Sequence, residues 1–173
     1  MGLDMSLHKK HFIGSHYEHR KTKATCIEIE QNGKQFSFPT ENLSEIEYHV
    51  HTWRKSNQIH KWFVDNCQDG TDDCREAYVS KEQLQELLGI LKQVCDIHTE
   101  LKLKKEPYKN MELKYKEQLE KLLPTSGGFF FGGTDYAEYY FADIEETAEM
   151  LEKELSEPEM EGWIPDYYYS SSW

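Results

Sequence analysis

The chain has 173 residues, 38 % of them apolar, with 4 Trp, 11 Tyr and 8 Phe, which is enough to build the core of one domain and too aromatic for disorder. Its formal charge of −12 lacks the clustered Lys/Arg excess that duplex nucleic acid requires. No apolar run reaches the length of a membrane span or a signal peptide. The expectation is therefore one cytoplasmic domain over residues 1–173, with neither a membrane nor extended nucleic acid among its partners.

Leu3-Asp4-Met5-Ser6-Leu7 alternates apolar with polar residues, which predicts a half-buried strand. Residues 24–30 and 34–38 flank Asn32-Gly33, a pair that tolerates positive φ and predicts a hairpin. These three segments are expected to seed one antiparallel sheet. From Thr52 to Cys67 the period becomes helical, with Trp53, Ile59, Phe63, Val64 and Cys67 on one face and Arg54, Gln58, Lys61 and Asp65 in a polar row. Gln68-Asp69-Gly70 stops this helix.

Ser80 and Gln83 form a capping box ahead of Leu84, Leu87, Leu88, Leu91, Val94 and Cys95, predicting a helix as far as His98. A Lys/Glu-rich helix is predicted from Tyr108 to Leu122, ending before Pro124. Phe129-Phe130-Phe131 suits a short buried strand. Gly132-Gly133-Thr134-Asp135 then opens a fourth helix whose buried face carries Ala137, Tyr140, Phe141, Ile144, Ala148, Leu151 and Leu155, ended by Pro158. Tyr167-Tyr168-Tyr169 predicts a returning strand within residues 163–173. The expected class is α+β: a small antiparallel sheet made of the N-terminal strand, the hairpin, a 128–131 strand and the C-terminal strand, packed with about four helices.

The acidity is a property of the C-terminal part, where residues 134–173 hold 12 acids against Lys153 alone, while residues 1–133 hold 20 acids and 19 bases. Seven of the eight histidines lie between His8 and His60, interleaved with lysine and arginine. That half is where a small anion is expected to be held. Arginine is scarce, with only Arg20, Arg54 and Arg75. Arg54 lies in the dense segment Tyr48 to Asn57, which combines aromatic faces for stacking with donors for anions, as a nucleotide-like ligand requires. An ion pair with Asp65 or another surface acid is the bland alternative for Arg54. The candidate ligand-binding residues are His16, His19, Arg20, His49, His51, Trp53, Arg54, Asn57 and Lys61.

Other patterns are less specific. His8-x-x-His11, His16-x-x-His19 and His49-x-His51 could supply imidazoles to a metal, but hydrogen bonding to an anion or the backbone is the simpler reading, and no metal or cofactor is expected. His60, among apolar residues of its helix, reads as a satisfied core histidine. Asp65 to Glu76 superficially follows a calcium loop, yet Cys67 stands at its third position and Asp72 at its eighth, so a solvated acidic turn is expected. The glycines of Gly127 to Thr134, ahead of a helix, could present amides to an anion, with close backbone packing as the equal alternative. Cys26, Cys67, Cys74 and Cys95 contain no C-x-x-C pair and read as buried free thiols. Trp62, opposite the helix face of Trp53 and Phe63, and Trp173 leave large apolar surface unaccounted for, which predicts a homo-oligomer.

Met1 to Leu7, the run Trp53-Arg54-Lys55-Ser56-Asn57-Gln58-Ile59-His60-Lys61-Trp62-Phe63-Val64 and the segment from Leu123-Pro124-Thr125 to Thr134-Asp135-Tyr136 resemble a family of small phage and bacterial proteins, in which tyrosine occupies the place of Ser6. The resemblance implies a phage-type accessory protein. By analogy with phage proteins of this size, it suggests a non-catalytic protein that sequesters a nucleotide-derived immune signal, such as a cyclic nucleotide or an ADP-ribose derivative. Two alternatives come from the residues: a phosphodiesterase-like hydrolase using the N-terminal histidines, and a protein-interaction module acting through the acidic C-terminal region.

Overall fold

A computed structural model of the chain describes residues 2–13, 26–105, 108–158 and 165–173. In chain order these form β1 (Asp4–Phe12), β2 (Cys26–Gln31), β3 (Lys34–Pro39), β4 (Glu45–Arg54), α1 (Asn57–Cys67), β5 (Ala77–Val79), α2 (Lys81–Lys104), α3 (Leu113–Leu122), α4 (Glu138–Ser156) and β6 (Asp166–Ser172). The class is α+β, as expected. The main sheet is antiparallel and four-stranded, in the order β4-β1-β6-β5.

Alternation along these strands separates two faces. Leu3, Met5 and Leu7 point inward with Trp53, Tyr167, Tyr169 and Val79, and all of them are buried. The helices supply the other half of the core through Ile59 and Phe63 of α1, Leu84, Leu87, Leu91 and Val94 of α2, and Phe141, Ile144 and Leu151 of α4. Phe63 stacks on Tyr169 with ring centroids 4.1 Å apart and planes 9° from parallel. Trp53 Nε1 donates to Thr147 Oγ1 at 2.8 Å, which pins β4 to α4. Ser80 accepts from the Gln83 amide while the Gln83 side chain accepts from the Ser80 amide, so the capping box starts α2 as predicted.

Several elements differ from the sequence reading. Residues 52–54 end a ten-residue strand rather than start a helix, because Lys55 turns the chain with φ 61° and α1 begins only at Asn57. Trp53 thus faces the core from a strand and Trp62 packs edge-on against Phe63, so Trp62 is buried rather than surplus. The 24–38 hairpin forms, but β2 and β3 pair only with each other in a separate two-stranded sheet. Phe129-Phe130-Phe131 is a turn, not a strand: Phe131 N donates to Gly128 O, Gly132 has φ 87°, and Phe129 is 95 % exposed. A fourth strand comes instead from β5, three residues too short to show alternation. The second helix runs on to Lys104, the third starts only at Leu113 and the fourth at Glu138. Cys26 is exposed, and Cys67, Cys74 and Cys95 are half-buried rather than buried. No helix among the described residues is long and apolar enough to cross a membrane.

Candidate functional site

Where β4 gives way to α1, the chain builds a cleft. Lys55 N donates to Leu3 O at 2.8 Å and Asn57 N donates to Lys55 O at 2.9 Å, which fixes the Arg54-Lys55-Ser56 turn with both cationic side chains exposed. The glycine segment then packs onto this turn. A Cβ on Gly132 would sit 3.2 Å from Lys55 Cβ and 3.4 Å from Lys55 O, and the φ of Gly132 is itself unfavourable for other residues. Asn57 clamps the same segment: Nδ2 donates to Phe131 O at 3.1 Å and Gly133 O at 2.8 Å, while Oδ1 accepts from Ser126 N at 2.9 Å.

Opposite the turn stands the amino end of α4. Its N-cap is Ala137, and no side chain caps the first-turn amides. Ser56 Oγ donates to Asp143 Oδ2 at 2.6 Å and Gln58 Nε2 to the same oxygen at 3.3 Å, tying α1 to α4. Burial pushes the Asp143 carboxyl above its ordinary value, and these two hydrogen bonds only partly offset it. The resulting cleft has a volume of about 430 Å³ and is lined by Arg54, Lys55, Asn57, Gln58, Gly132, Gly133, Asp135, Asp143 and the ring of Tyr139, which is 86 % exposed.

The other sequence-predicted residues go elsewhere. His16, His19 and Arg20 lie outside the described residues. His49 points to the outer sheet face, with its ring 4.4 Å from that of His8. His51 faces the opposite way, toward α4, where Nε2 is 3.8 Å from Glu146 Oε1. It belongs to a groove of about 710 Å³ that also holds Lys9, His11, Lys153, Glu146, Glu149, Glu154 and Glu157. Lys9 there is held by Glu154 at 2.6 Å and Glu157 at 3.2 Å, so that groove is a poor place for an anion. Trp53 is a core residue. Lys61 Nζ donates to Asp65 Oδ2 at 2.7 Å along α1 and does not line the cleft. Arg54 Nε lies 3.7 Å from Asp4 Oδ1, with both side chains more than half exposed, so its ion pair is weak and its guanidinium accessible. Lys55, Tyr139 and Asp143 are not among the candidate ligand-binding residues that the sequence offers, although Lys55 sits inside the dense segment and the glycines offer an amide source.

His60 is the core histidine expected: Nδ1 lies 2.7 Å from Tyr169 Oη and Nε2 2.9 Å from Asp72 Oδ2. The acids of the calcium-like loop are dispersed over separate partners. Asp72 serves His60 and the Trp173 indole, Asp65 serves Lys61, and Asp69 and Asp73 face Arg75. Among the described residues no group of three or more His, Cys, Asp or Glu side chains could hold a metal ion. Burial pushes the Cys67 thiol up to about 12, away from nucleophilic use. Compared with family models, curated proteins and solved structures, the chain matches none.

Proposed function

We propose that the protein binds, without turning it over, a small anionic, nucleotide-derived ligand in the cleft between the Arg54-Lys55 turn and the amino end of α4. In this reading it is a phage-type accessory protein of the cytoplasm that sequesters an immune signal such as a cyclic nucleotide or an ADP-ribose derivative. One observation carries the proposal: two cationic side chains, a glycine-lined backbone and the uncapped end of a 19-residue helix converge on one cleft. A helix amino end acts as roughly half a positive charge, and its free amides point at whatever occupies the cap. The guanidinium fork of Arg54 adds geometry suited to phosphate. The exposed Tyr139 ring offers a stacking face.

The acids of the cleft fit the same ligand class. Asp143 already accepts two hydrogen bonds and has its charge disfavoured by burial, while exposed Asp135 is an acceptor for sugar hydroxyls. A nucleotide presents phosphate and hydroxyls together. Binding is favoured over turnover because no histidine or cysteine among the described residues lines the cleft. The hydrolase alternative needs imidazoles at the cleft, yet His49 and His51 lie along β4 outside its lining, and His60 and His98 are hydrogen-bonded in the core.

The test is to incubate pure protein with ADP-ribose, cyclic ADP-ribose, cyclic GMP and cyclic di-GMP, wash it, denature it and weigh what is released. Intact ligand supports sequestration. A changed mass, or nothing retained from any of the four, contradicts it.

A further inference from the structure

The outer face of the main sheet carries a second arrangement, whose cavity shares only Arg54 with the cleft. Ser6 Oγ lies 3.0 Å from His8 Nε2, and His8 Nδ1 lies 2.7 Å from Glu47 Oε1. We propose that Ser6, His8 and Glu47 form a hydroxyl–imidazole–carboxylate relay that gives the protein a serine-esterase activity toward small esters carrying a negative charge.

The order of the atoms is the one nucleophilic catalysis needs. The hydroxyl meets the distal ring nitrogen and the carboxylate lies beside the proximal one; the relay uses the tautomer with its proton on Nδ1, in which Nε2 accepts from Ser6. The Glu47 oxygen lies close to Nδ1 but off the direction of its proton, so no aligned hydrogen bond joins them in the unliganded protein. Such bonds commonly tighten only when substrate is bound.

A one-residue bulge creates the relay. Leu7 pairs with His51 but His8 pairs with His49, leaving Val50 as the extra residue. Without the bulge His8 would oppose Val50, and His49 and Glu47 would fall opposite Lys9 and His11, on the inner face. The bulge moves both to the outer face, where the His49 ring rests against His8, whose side chain is only 12 % exposed.

Ser6 lines a cavity of about 400 Å³ with Thr52, Arg54, Ser170 and Ser172. Ser170 Oγ is 3.2 Å from Ser6 Oγ, so its hydroxyl is a near donor for a developing oxyanion. Asp4 lines the same cavity and pairs only weakly with Arg54, whose exposed guanidinium supplies the charge that selects an anionic substrate. In the reaction, Ser6 Oγ bonds to the ester carbonyl carbon as its proton passes to His8 Nε2. The C–O bond then breaks and the alcohol leaves with that proton. Water repeats the sequence on the acyl-Ser6, releasing the carboxylic acid and restoring the hydroxyl. The relay includes no residue of the proposed cleft, so this activity does not rest on the reading of that cleft.

The experiment exposes full-length protein to a fluorophosphonate probe and maps the adduct by mass spectrometry, alongside hydrolysis of p-nitrophenyl acetate and mono-p-nitrophenyl succinate. The expected result is one adduct on Ser6, reduced at least ten-fold in His8→Gln and absent in Ser6→Ala. Gly89→Ala, on α2 and outside the cavity and the relay, labels like the parent. Arg54→Ala loses the preference for the succinate ester while retaining the adduct. Melting curves confirm that each variant is folded. Absence of an adduct on the folded parent, or an adduct unaffected by His8→Gln, overturns the proposal whatever the cleft binds.

Discussion

The side-chain amide nitrogen of Asn57 sits 2.8 Å from the carbonyl of Gly133, joining the first residue of α1 to a glycine 76 positions later. With the bonds to Phe131 O and from Ser126 N, this one side chain holds the glycine segment against the cationic turn. Asn57→Ala therefore strands two carbonyls and one amide. These partners are only half-buried or exposed, so each lost hydrogen bond should cost about 0.5–1.5 kcal/mol, and a total loss of about 1–3 kcal/mol is expected. Urea unfolding measures the stability, and hydrogen exchange at residues 126–133 should speed up more than in α2.

Gly132 and Gly89 should respond to alanine with opposite signs. Gly132 combines φ 87° with a Cβ position 3.2 Å from Lys55, so Gly132→Ala should cost about 1–3 kcal/mol. Gly89 lies within α2 with nothing near its Cβ position, so Gly89→Ala should stabilise by roughly 0.5–1 kcal/mol. Thermal melts of the two variants check the pair, and equal effects would count against the packing described at Gly132.

The pH dependence follows from three histidines. Burial holds His11, His51 and His98 below the ordinary value of 6.5; nearby carboxylates, Glu146 beside His51 and Glu145 beside His98, offset this only in part. Each binds fewer protons folded than unfolded. Their stabilisation is therefore complete above 6.5 and is lost as pH falls from there toward the folded values. The raised Asp143 acts oppositely and lower, losing stability as pH rises from 3.8 toward its folded value. Urea midpoints should fall between about pH 7.5 and about pH 5.5, and His51→Gln should flatten the slope. A midpoint that stays level or rises on acidification contradicts this.

The helices and the C-terminal strand were readable because their signals are local. The Ser80/Gln83 box and the leucine stripe of α2 need no knowledge of the rest of the chain, and Gly70 ends α1 with φ 70° as its sequence suggests. The end of β4 is ambiguous in the sequence because Trp53 fits both a helical face and an inward strand position, and only the left-handed Lys55 separates them. Membership of the main sheet was likewise hidden: β5 is recruited by pairing with Tyr167 to Tyr169, a contact across 90 residues. The site was half legible. Arg54, Asn57 and the glycines stood out as unusual, but nothing local says that the glycine segment docks on Lys55, or that His49 and His51 are sent to opposite faces.

Calorimetric titration of the parent protein, Arg54→Ala and Arg54→Lys with ADP-ribose, cyclic ADP-ribose, cyclic GMP and cyclic di-GMP tests the central claim most directly. Removing a charge-assisted bond worth about 1.5–3 kcal/mol should weaken binding ten-fold or more, with the melting temperature nearly unchanged because the Asp4 pair is exposed. Arg54→Lys keeps the charge but loses the two-donor fork, so it should bind less well than the parent. Affinity that is identical in the parent and Arg54→Ala, or a parent that binds none of the four, would contradict the assignment of the cleft.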